Sequence, residues 1–295
     1  MKKIIAVVVT FNRKVLLKEA IEALLNNKYP GLEVLVTDNA STDGTKEYIS
    51  ELLDNPRVHY VNTGDNLGGA GGFNFGMKEA YKLGCDYMWL MDDDCIVHED
   101  SLEKLMAADE KLKGNYGFLS SKVLWTDGNL CRMNLVKETY TKNVEDWETP
   151  LVKIVMATFV SFFVKTEVVR EVGLPIKEFF IWSDDLEYSR RISMKYPGYL
   201  VNDSVVTHKC KSNIGSDISR DMSESLWRYP YAYRNEIYVC KREGFYGRFR
   251  QFERVVMHCL RVIFRKNDRK GERLKIILSN TFKGMKFNPP IEYLE

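Results

Sequence analysis

Apolar residues fill positions 4 to 9 without interruption between Lys2-Lys3 and Thr10-Phe11-Asn12-Arg13, a pattern that predicts a buried strand. From Val15 to Leu25 they recur at 16, 17, 20, 21, 24 and 25, which is the spacing of one helix face. Val34 to Thr37 reads as a second strand closed by Asp38-Asn39, and Ser41-Thr42-Asp43-Gly44 offers cap chemistry for a helix over about 44 to 54. A third strand falls at Val58 to Val61, a glycine-rich loop at Gly64 to Gly72, a helix from there to about Leu83, and a fourth strand at Tyr87 to Met91. Strands alternating with helices predict an α/β fold whose sheet is mostly parallel and flanked by helices. In such sheets ligands bind beyond the carboxyl ends of the strands. Polar clusters follow all four strands here, at Thr10 to Arg13, Asp38-Asn39, Asn66 to Gly72 and Asp92 to Asp94, so four strand ends converge on one edge.

Beyond about residue 115 the periodicity is less regular, with strands expected near 117 to 124, 158 to 165 and 199 to 206 and a helix over about 186 to 195. Residues 241 to 286 differ in kind. They hold fourteen lysines and arginines against four acids, a net charge of +10, which leaves about −8 on the rest of a chain whose total is +2. Phe249, Phe252, Val256, Cys259, Leu260 and Ile263 share one helical face with arginines opposite, and Leu274, Ile277, Leu278, Phe282 and Met285 repeat the arrangement. Two basic amphipathic helices follow from that pattern. The chain divides into a domain over 1–215 and a basic, mainly helical region over 216–295.

Length and composition narrow the class. A chain of 295 residues with 45% hydrophobic and 28% charged content supplies a sizeable core and is neither a short peptide module nor a disordered chain. The first apolar run is too short for a signal peptide and lacks a cleavage site, and Lys153 and Arg261 interrupt the longest later ones, so no membrane span is expected. The six cysteines are widely spaced without a C-x-x-C pair, which argues against a zinc site or a disulfide framework and favours reduced thiols in the cytosol.

Asp92-Asp93-Asp94 closes an apolar strand, and in extended backbone Asp92 and Asp94 point the same way. Adjacent carboxylates repel unless compensated, and a hard divalent ion such as Mg²⁺ or Mn²⁺ beside substrate phosphates is the expected compensator; a solvated acidic turn is the alternative. The glycines of the 66–73 segment allow close backbone approach to an anion at a helix start, or serve as a flexible connection. Asp38 and Asn39 suit a nucleoside or the start of a helix. Phe179-Phe-Ile-Trp-Ser-Asp-Asp-Leu-Glu-Tyr188 sets Asp184 and Asp185 after an aromatic wall, where a carboxylate can take a proton from a sugar hydroxyl or cap a helix. His208 suits a metal ligand or a structural role.

Val-Val-Thr-Phe-Asn at 8 to 12, Val-Thr-Asp-Asn-Ala-Ser-Thr-Asp-Gly-Thr at 36 to 45, Asn-Leu-Gly-Gly-Ala-Gly-Gly-Phe at 66 to 73 and Met-Asp-Asp-Asp at 91 to 94 resemble family 2 of the inverting glycosyltransferases. The glycine-rich segment and Ile-Trp-Ser-Asp-Asp-Leu-Glu-Tyr resemble its galactofuranosyltransferase branch. One departure is Ser183 between Trp182 and the acid pair, where the polymerising members of that branch have tryptophan adjacent. The resemblance, over roughly residues 3 to 210, implies a GT-A fold and a nucleotide-sugar donor. It implies Asp92, Asp94 and His208 as ligands of Mn²⁺ or Mg²⁺, and Asp185 as catalytic base. Thr10, Asn12, Arg13, Asp38, Asn39, Asn66, Gly69, Gly71 and Asp93 would line the donor, and Trp182 and Asp184 the acceptor. The implied reaction transfers galactofuranose from UDP-galactofuranose to a hydroxyl of a lipid-linked glycan in cell-surface polysaccharide synthesis. Rhamnosyl transfer from dTDP-rhamnose, a non-catalytic nucleotide-sugar scaffold and a nucleotidyltransferase are the competing readings. The basic helices fit attachment to the inner face of the cell membrane from the cytoplasm, or packing on the catalytic domain or on a second copy in a homo-oligomer. No recognition motif accompanies their charge, so nucleic acid is not an expected partner.

Overall fold

The first strand, β1 (Ile4–Thr10), is buried along its whole length, as its unbroken apolar run predicts. In the computed structural model, which describes residues 2–295, its side chains alternate between two cores. Ile4, Ala6 and Val8 face one, and Ile5, Val7 and Val9 face the other. Helix α1 (Lys14–Leu25) covers the first face with Leu17, Ile21 and Leu24. Strand β2 (Leu32–Asp38) runs parallel to β1. The single helix expected over 44 to 54 is two short turns, α2 (Thr45–Tyr48) and α3 (Ser50–Leu53), because Ile49 leaves the helical conformation with its side chain fully buried in the first core.

Strand β3 (Val58–Asn62) adds parallel to β2. Helix α4 (Gly68–Lys82) begins inside the segment expected to be a glycine-rich loop. The reason is packing. A Cβ on Gly72 would stand 2.6 Å from Val9 Cγ1, and one on Gly76 would stand 2.4 Å from Thr37 Oγ1. Two glycines one turn apart therefore let the helix backbone lie directly on β1 and β2, and a methyl group forced in at either position costs about 1–3 kcal/mol.

Strand β4 (Tyr87–Asp92) pairs parallel with the other side of β1 and ends the regular alternation. The remaining elements are β5 (Cys95–Val97), α5 (Ser101–Lys111), β6 (Phe118–Trp125), β7 (Leu151–Ile154), β8 (Phe162–Lys165), α6 (Thr166–Val172), α7 (Asp184–Ser193) and β9 (Gly198–His208). Strand order is β3-β2-β1-β4-β8-β6-β9-β5, with β7 also on β9. β8 is antiparallel to β4 and β6, and β9 is parallel to β6. The strand expected over 158 to 165 is confined to β8 because Ser161, at a φ of 63°, breaks the extended path. Its hydroxyl accepts from Trp89 Nε1 at 2.9 Å and donates to Ser121 Oγ at 2.6 Å, a buried polar chain across three strands.

Three helices follow: α8 (Tyr229–Arg242), α9 (Gly244–Phe264) and α10 (Lys270–Lys286). The two basic helices lie where the sequence predicts them. Arg273, however, is not on a solvated face; it is buried and donates to the carbonyl of Ile218 at 2.5 Å. Phe245, Phe249, Phe252, Val256, Leu260 and Ile263 are exposed along α9, while Gln251, Val255 and Val262 face inward. After α10 the chain returns to the sheet domain. The Glu292 carboxylate meets Lys78 at 2.7 Å and Lys177 at 2.5 Å, and its carbonyl accepts the Leu174 N–H. Among the described residues no helix is long and apolar enough to cross a membrane, and all six cysteines are free thiols.

Candidate active site

Of the three acids at the end of β4, Asp93 and Asp94 are buried and partnered, while Asp92 is half-buried with neither a hydrogen bond nor an ion pair among the described residues. Asp93 accepts from Thr10 Oγ1 at 2.7 Å, and the Arg13 guanidinium bridges Asp93 at 2.7 Å and Asp94 at 2.8 Å. β9 delivers His208 through its pairing with β5, so that Nε2 stands 3.0 Å from Asp94 Oδ1. Burial and the neighbouring Asp94 charge push Asp92 up to about 7, and burial pushes Asp93 up to about 6. Burial acts in the same direction on Asp94, but His208 and Arg13 outweigh it and hold that carboxyl below its ordinary value.

The donor atoms of Asp92, Asp94 and His208 lie within 4.8 Å of one another. Whether they fit a hard cation turns on the imidazole tautomer. Nδ1 is 2.7 Å from Asn134 Oδ1, whose amide is oriented by its own Nδ2 bond to Thr158 Oγ1 at 3.0 Å. An amide oxygen only accepts, so Nδ1 carries a proton. Burial opposes charging the ring, but Asp94 and Cys131 outweigh it and push its pKa up to about 10. Nε2 therefore donates to Asp94 and would turn a lone pair toward the acids on losing that proton. Two carboxylates and a lone pair converging on one point fit a divalent ion. Asn134 was not foreseen; its link to His208, 74 positions away, exists only in the folded chain.

At the end of β2, Asp38 accepts from the Ser41 N–H at 2.8 Å and from Tyr60 Oη at 2.6 Å. Asn39 donates to the Gly68 carbonyl at 2.9 Å while its buried Oδ1 has no partner. An unsatisfied acceptor at a sheet edge is one polar group a ligand donor can complete. Asn12, in a left-handed conformation with a φ of 55°, accepts the Thr42 N–H through its side chain and latches the first turn to the 41–42 turn. Asn66 Oδ1 accepts from the Gly68 N–H at the start of α4. Gly69 faces open space, whereas a Cβ on Gly71 would meet Leu67 of the preceding turn at 2.6 Å.

The second acid pair sits on a strained segment. Phe180, Trp182 and Ser183 all have positive φ, between 64° and 67°. Such backbone persists where surroundings over-determine it. Here Asn235 of α8, fully buried, donates through Nδ2 to the carbonyls of Phe179, Ile181 and Trp182 at 3.0, 3.2 and 2.9 Å. The Phe180 carbonyl in turn accepts the Ala70 N–H, and a Cβ on Gly68 would lie 2.1 Å from that oxygen. Asp184, the first residue of α7, is thereby buried close enough to Asp92 to feel its charge, and Asp185, the second, is partly exposed. Ser183 makes no side-chain cap bond to α7. Burial pushes Asp185 up to about 6, against the pull of its own hydrogen bond from the Leu186 N–H and of Lys137. Trp182 packs edge-on against Tyr229 at 5.1 Å, with the Arg228 guanidinium over its ring.

Thr10, Arg13, Asp92, Asp93, Asp94, His208 and Asp184 are thus gathered at one sheet edge, Asp38, Asn39 and Asn66 flank it, and Asn12 is spent on a loop latch. Cys131 and Cys210 also converge there, with donor atoms within 4.8 Å of each other and of His208, a proximity that their spacing in the sequence argued against.

A sheet edge that gathers an aspartate cluster, a histidine and a second acid pair is the setting for the comparisons with known proteins. The family described as Glycosyl transferase family 2 matches residues 5–173, and the chain belongs to it. The chain is 31% identical over 137 residues to the GalNAc(5)-diNAcBac-PP-undecaprenol beta-1,3-glucosyltransferase of Campylobacter jejuni, across 45% of this chain and 42% of that protein. It is 27% identical over 264 residues to galactofuranosyltransferase GlfT1 of Mycobacterium tuberculosis, across 82% of this chain and 84% of that one. In structure it resembles Staphylococcus aureus TarS 1–349 in complex with UDP (TM-score 0.57, 13% identity, 97% of this chain and 72% of that one). It also resembles the mannosyltransferase PcManGT of Pyrobaculum calidifontis in complex with GDP-Man and Mn²⁺ (TM-score 0.58, 16% identity, 98% and 76%). The fold is GT-A, with a sheet flanked by helices and a helical carboxyl-terminal region.

Proposed function

We propose that the chain is an inverting, metal-dependent glycosyltransferase that moves galactofuranose from UDP-galactofuranose to a hydroxyl of a lipid-linked glycan in cell-surface polysaccharide synthesis. The observation that carries this reading is the juxtaposition of Asp92, Asp94 and His208 with the Asp184-Asp185 pair at one sheet edge. Mn²⁺ or Mg²⁺ held by Asp92, Asp94 and His208 Nε2 would supply countercharge to the diphosphate of the donor. Arg13 keeps Asp93 and Asp94 paired and ionised beside that group. Thr10, Asn12, Asp38, Asn39, Asn66, Gly69 and Gly71 form the donor side, with the unpartnered Asn39 Oδ1 as an acceptor for a nucleoside donor group. Asp185 takes the proton of the acceptor hydroxyl, which attacks C1 from the face opposite the departing diphosphate, so a single displacement inverts that centre.

Trp182 and Asp184 border the acceptor. A cleft of about 450 Å³ beside Ser183 and Leu186, lined among others by Lys137, Arg250, Arg254 and Arg261, supports an acceptor bearing a diphosphate. Arg250 and Arg254 are paired with Glu253 and Glu236, while Lys137 and Arg261 have no carboxylate partner among the described residues. The exposed apolar stripe of α9, bordered by arginines, supports peripheral attachment to the inner leaflet from the cytoplasm. The names of the galactofuranosyltransferase and undecaprenol-diphosphate relatives support the donor and the acceptor. The test is incubation with Mn²⁺, a polyprenyl-diphosphate-linked acceptor and either UDP-galactofuranose or dTDP-rhamnose. UDP release with an inverted product is the expected result. Turnover of dTDP-rhamnose alone reassigns the sugar, pyrophosphate release reassigns the reaction, and no product from either donor removes the enzymatic reading.

A further inference from the structure

Cys131, His208 and Cys210 form a second cluster on the far side of the same imidazole. Cys131 Sγ is 3.9 Å from Cys210 Sγ and 3.7 Å from His208 Nδ1, and the three donor atoms lie within 4.8 Å of one another. A tetrahedral zinc ion with its usual bond lengths needs sulfur–sulfur and sulfur–nitrogen separations of about 3.8 Å and about 3.6 Å. Two of the three edges of the cluster already match that shape, and the third lies within 4.8 Å. Cys131 is buried and Cys210 partly exposed, so one thiol anchors the group and the other leaves a path from solvent. Asn134 Oδ1 lies 3.0 Å from Cys131 Sγ and 2.7 Å from Nδ1 and accepts from both.

We propose that Cys131, Cys210 and His208 Nδ1 form a binding site for a thiophilic divalent cation of the zinc class, and that its occupancy disables the hard-cation site on Nε2. Binding releases both thiol protons to solvent, leaving two thiolates on the metal. The ring must also present its lone pair at Nδ1, so the proton held there is released as well, while Nε2 keeps the proton that it donates to Asp94. A neutral imidazole has one free lone pair, so the tautomer that serves the thiolates withdraws the ligand that faces Asp94. The soft site stands on its own geometry; the exclusion rests on the assignment of Asp92, Asp94 and His208 made above.

The experiment uses the reduced, chelator-stripped full chain, titrated with Co²⁺ and with Zn²⁺ against a chromogenic chelator, and then with Mn²⁺ and UDP by calorimetry. A thiolate-to-cobalt charge-transfer band is expected in the native chain, with the band and tight zinc binding lost in Cys131→Ser/Cys210→Ser and both weakened in the milder, partly exposed Cys210→Ser. One equivalent of zinc is expected to weaken Mn²⁺–UDP binding at least about tenfold in the native chain and not in the double variant. Absence of the band, zinc uptake unchanged in both variants, or a Cys131–Cys210 disulfide in place of bound metal overturns the soft site. A normal band with Mn²⁺–UDP binding unaffected by zinc overturns the exclusion. Failure of Mn²⁺–UDP to bind the zinc-free chain overturns the hard-site assignment and the exclusion with it, while the cobalt band still reports the soft site.

Discussion

Two neighbouring aspartates, 184 and 185, differ by environment. Asp184 is buried against Asp92 and its pKa is driven well above the ordinary carboxylate range by burial and by Asp185, whereas Asp185 is pushed only to about 6 and keeps access to the cleft. A base must be deprotonated to act, so the reaction is fastest where Asp185 is ionised. We expect kcat/KM for transfer to be flat above neutrality and to fall about tenfold per pH unit below about 6, measured at fixed, saturating Mn²⁺. Asp185→Asn is expected to lower kcat by about 10²–10⁴ while calorimetric UDP binding stays within a factor of two or so. Undiminished turnover in that variant removes Asp185 from the role. At this scale the sequence was informative wherever chemistry is contiguous: the Asp92 to Asp94 triplet and the Asp184-Asp185 pair are legible because neighbours along the chain remain neighbours in space. Asn134, Cys131 and Cys210 were not, because nothing local in residues 131–134 points to β9.

Among the elements, α8 does what no motif announced. Its Asn235 supplies two N–H bonds to three carbonyls of the strained 179–182 segment, and its neighbour Arg234 donates to the Glu178 carbonyl at 2.6 Å. Asn235→Leu removes those donors from a fully buried place and is expected to cost about 1–3 kcal/mol in urea unfolding. It is also expected to lower kcat about tenfold or more with KM for the donor little changed, since the segment it holds carries the acid pair and not the β2 edge. Equal losses in both constants would mark a purely structural role. The alternation through β4 was readable from periodicity because β1 to β4 are parallel strands with continuous apolar runs. After β4 the sheet becomes mixed, with antiparallel pairs beside the parallel β6–β9 pair, and its strands shorten to three or four residues at β5, β7 and β8, too short for a period to emerge. The glycines of α4 read as a loop because their purpose is contact with Val9 and Thr37, which sequence spacing does not reveal.

For the whole molecule, charge and shape separate into two territories: an acidic sheet edge and a basic helical flank. The amphipathic face predicted for α9 exists, and it points outward rather than into the catalytic domain. Phe249→Ser/Phe252→Ser/Leu260→Ser is expected to reduce flotation with anionic vesicles by about tenfold or more, with the melting temperature little changed because all three side chains are exposed. Equal recovery of the variant and the native chain would detach α9 from the membrane. Surface substitution is the cleaner test than removing residues 241–295, because the segment after α10 is fastened elsewhere. A single carboxylate, Glu292, holds Lys78 on the glycine helix with one oxygen and Lys177, just before the acid-bearing loop, with the other. Losing that one carboxylate would therefore unbuckle both elements at once, although neither lysine belongs to the acid cluster.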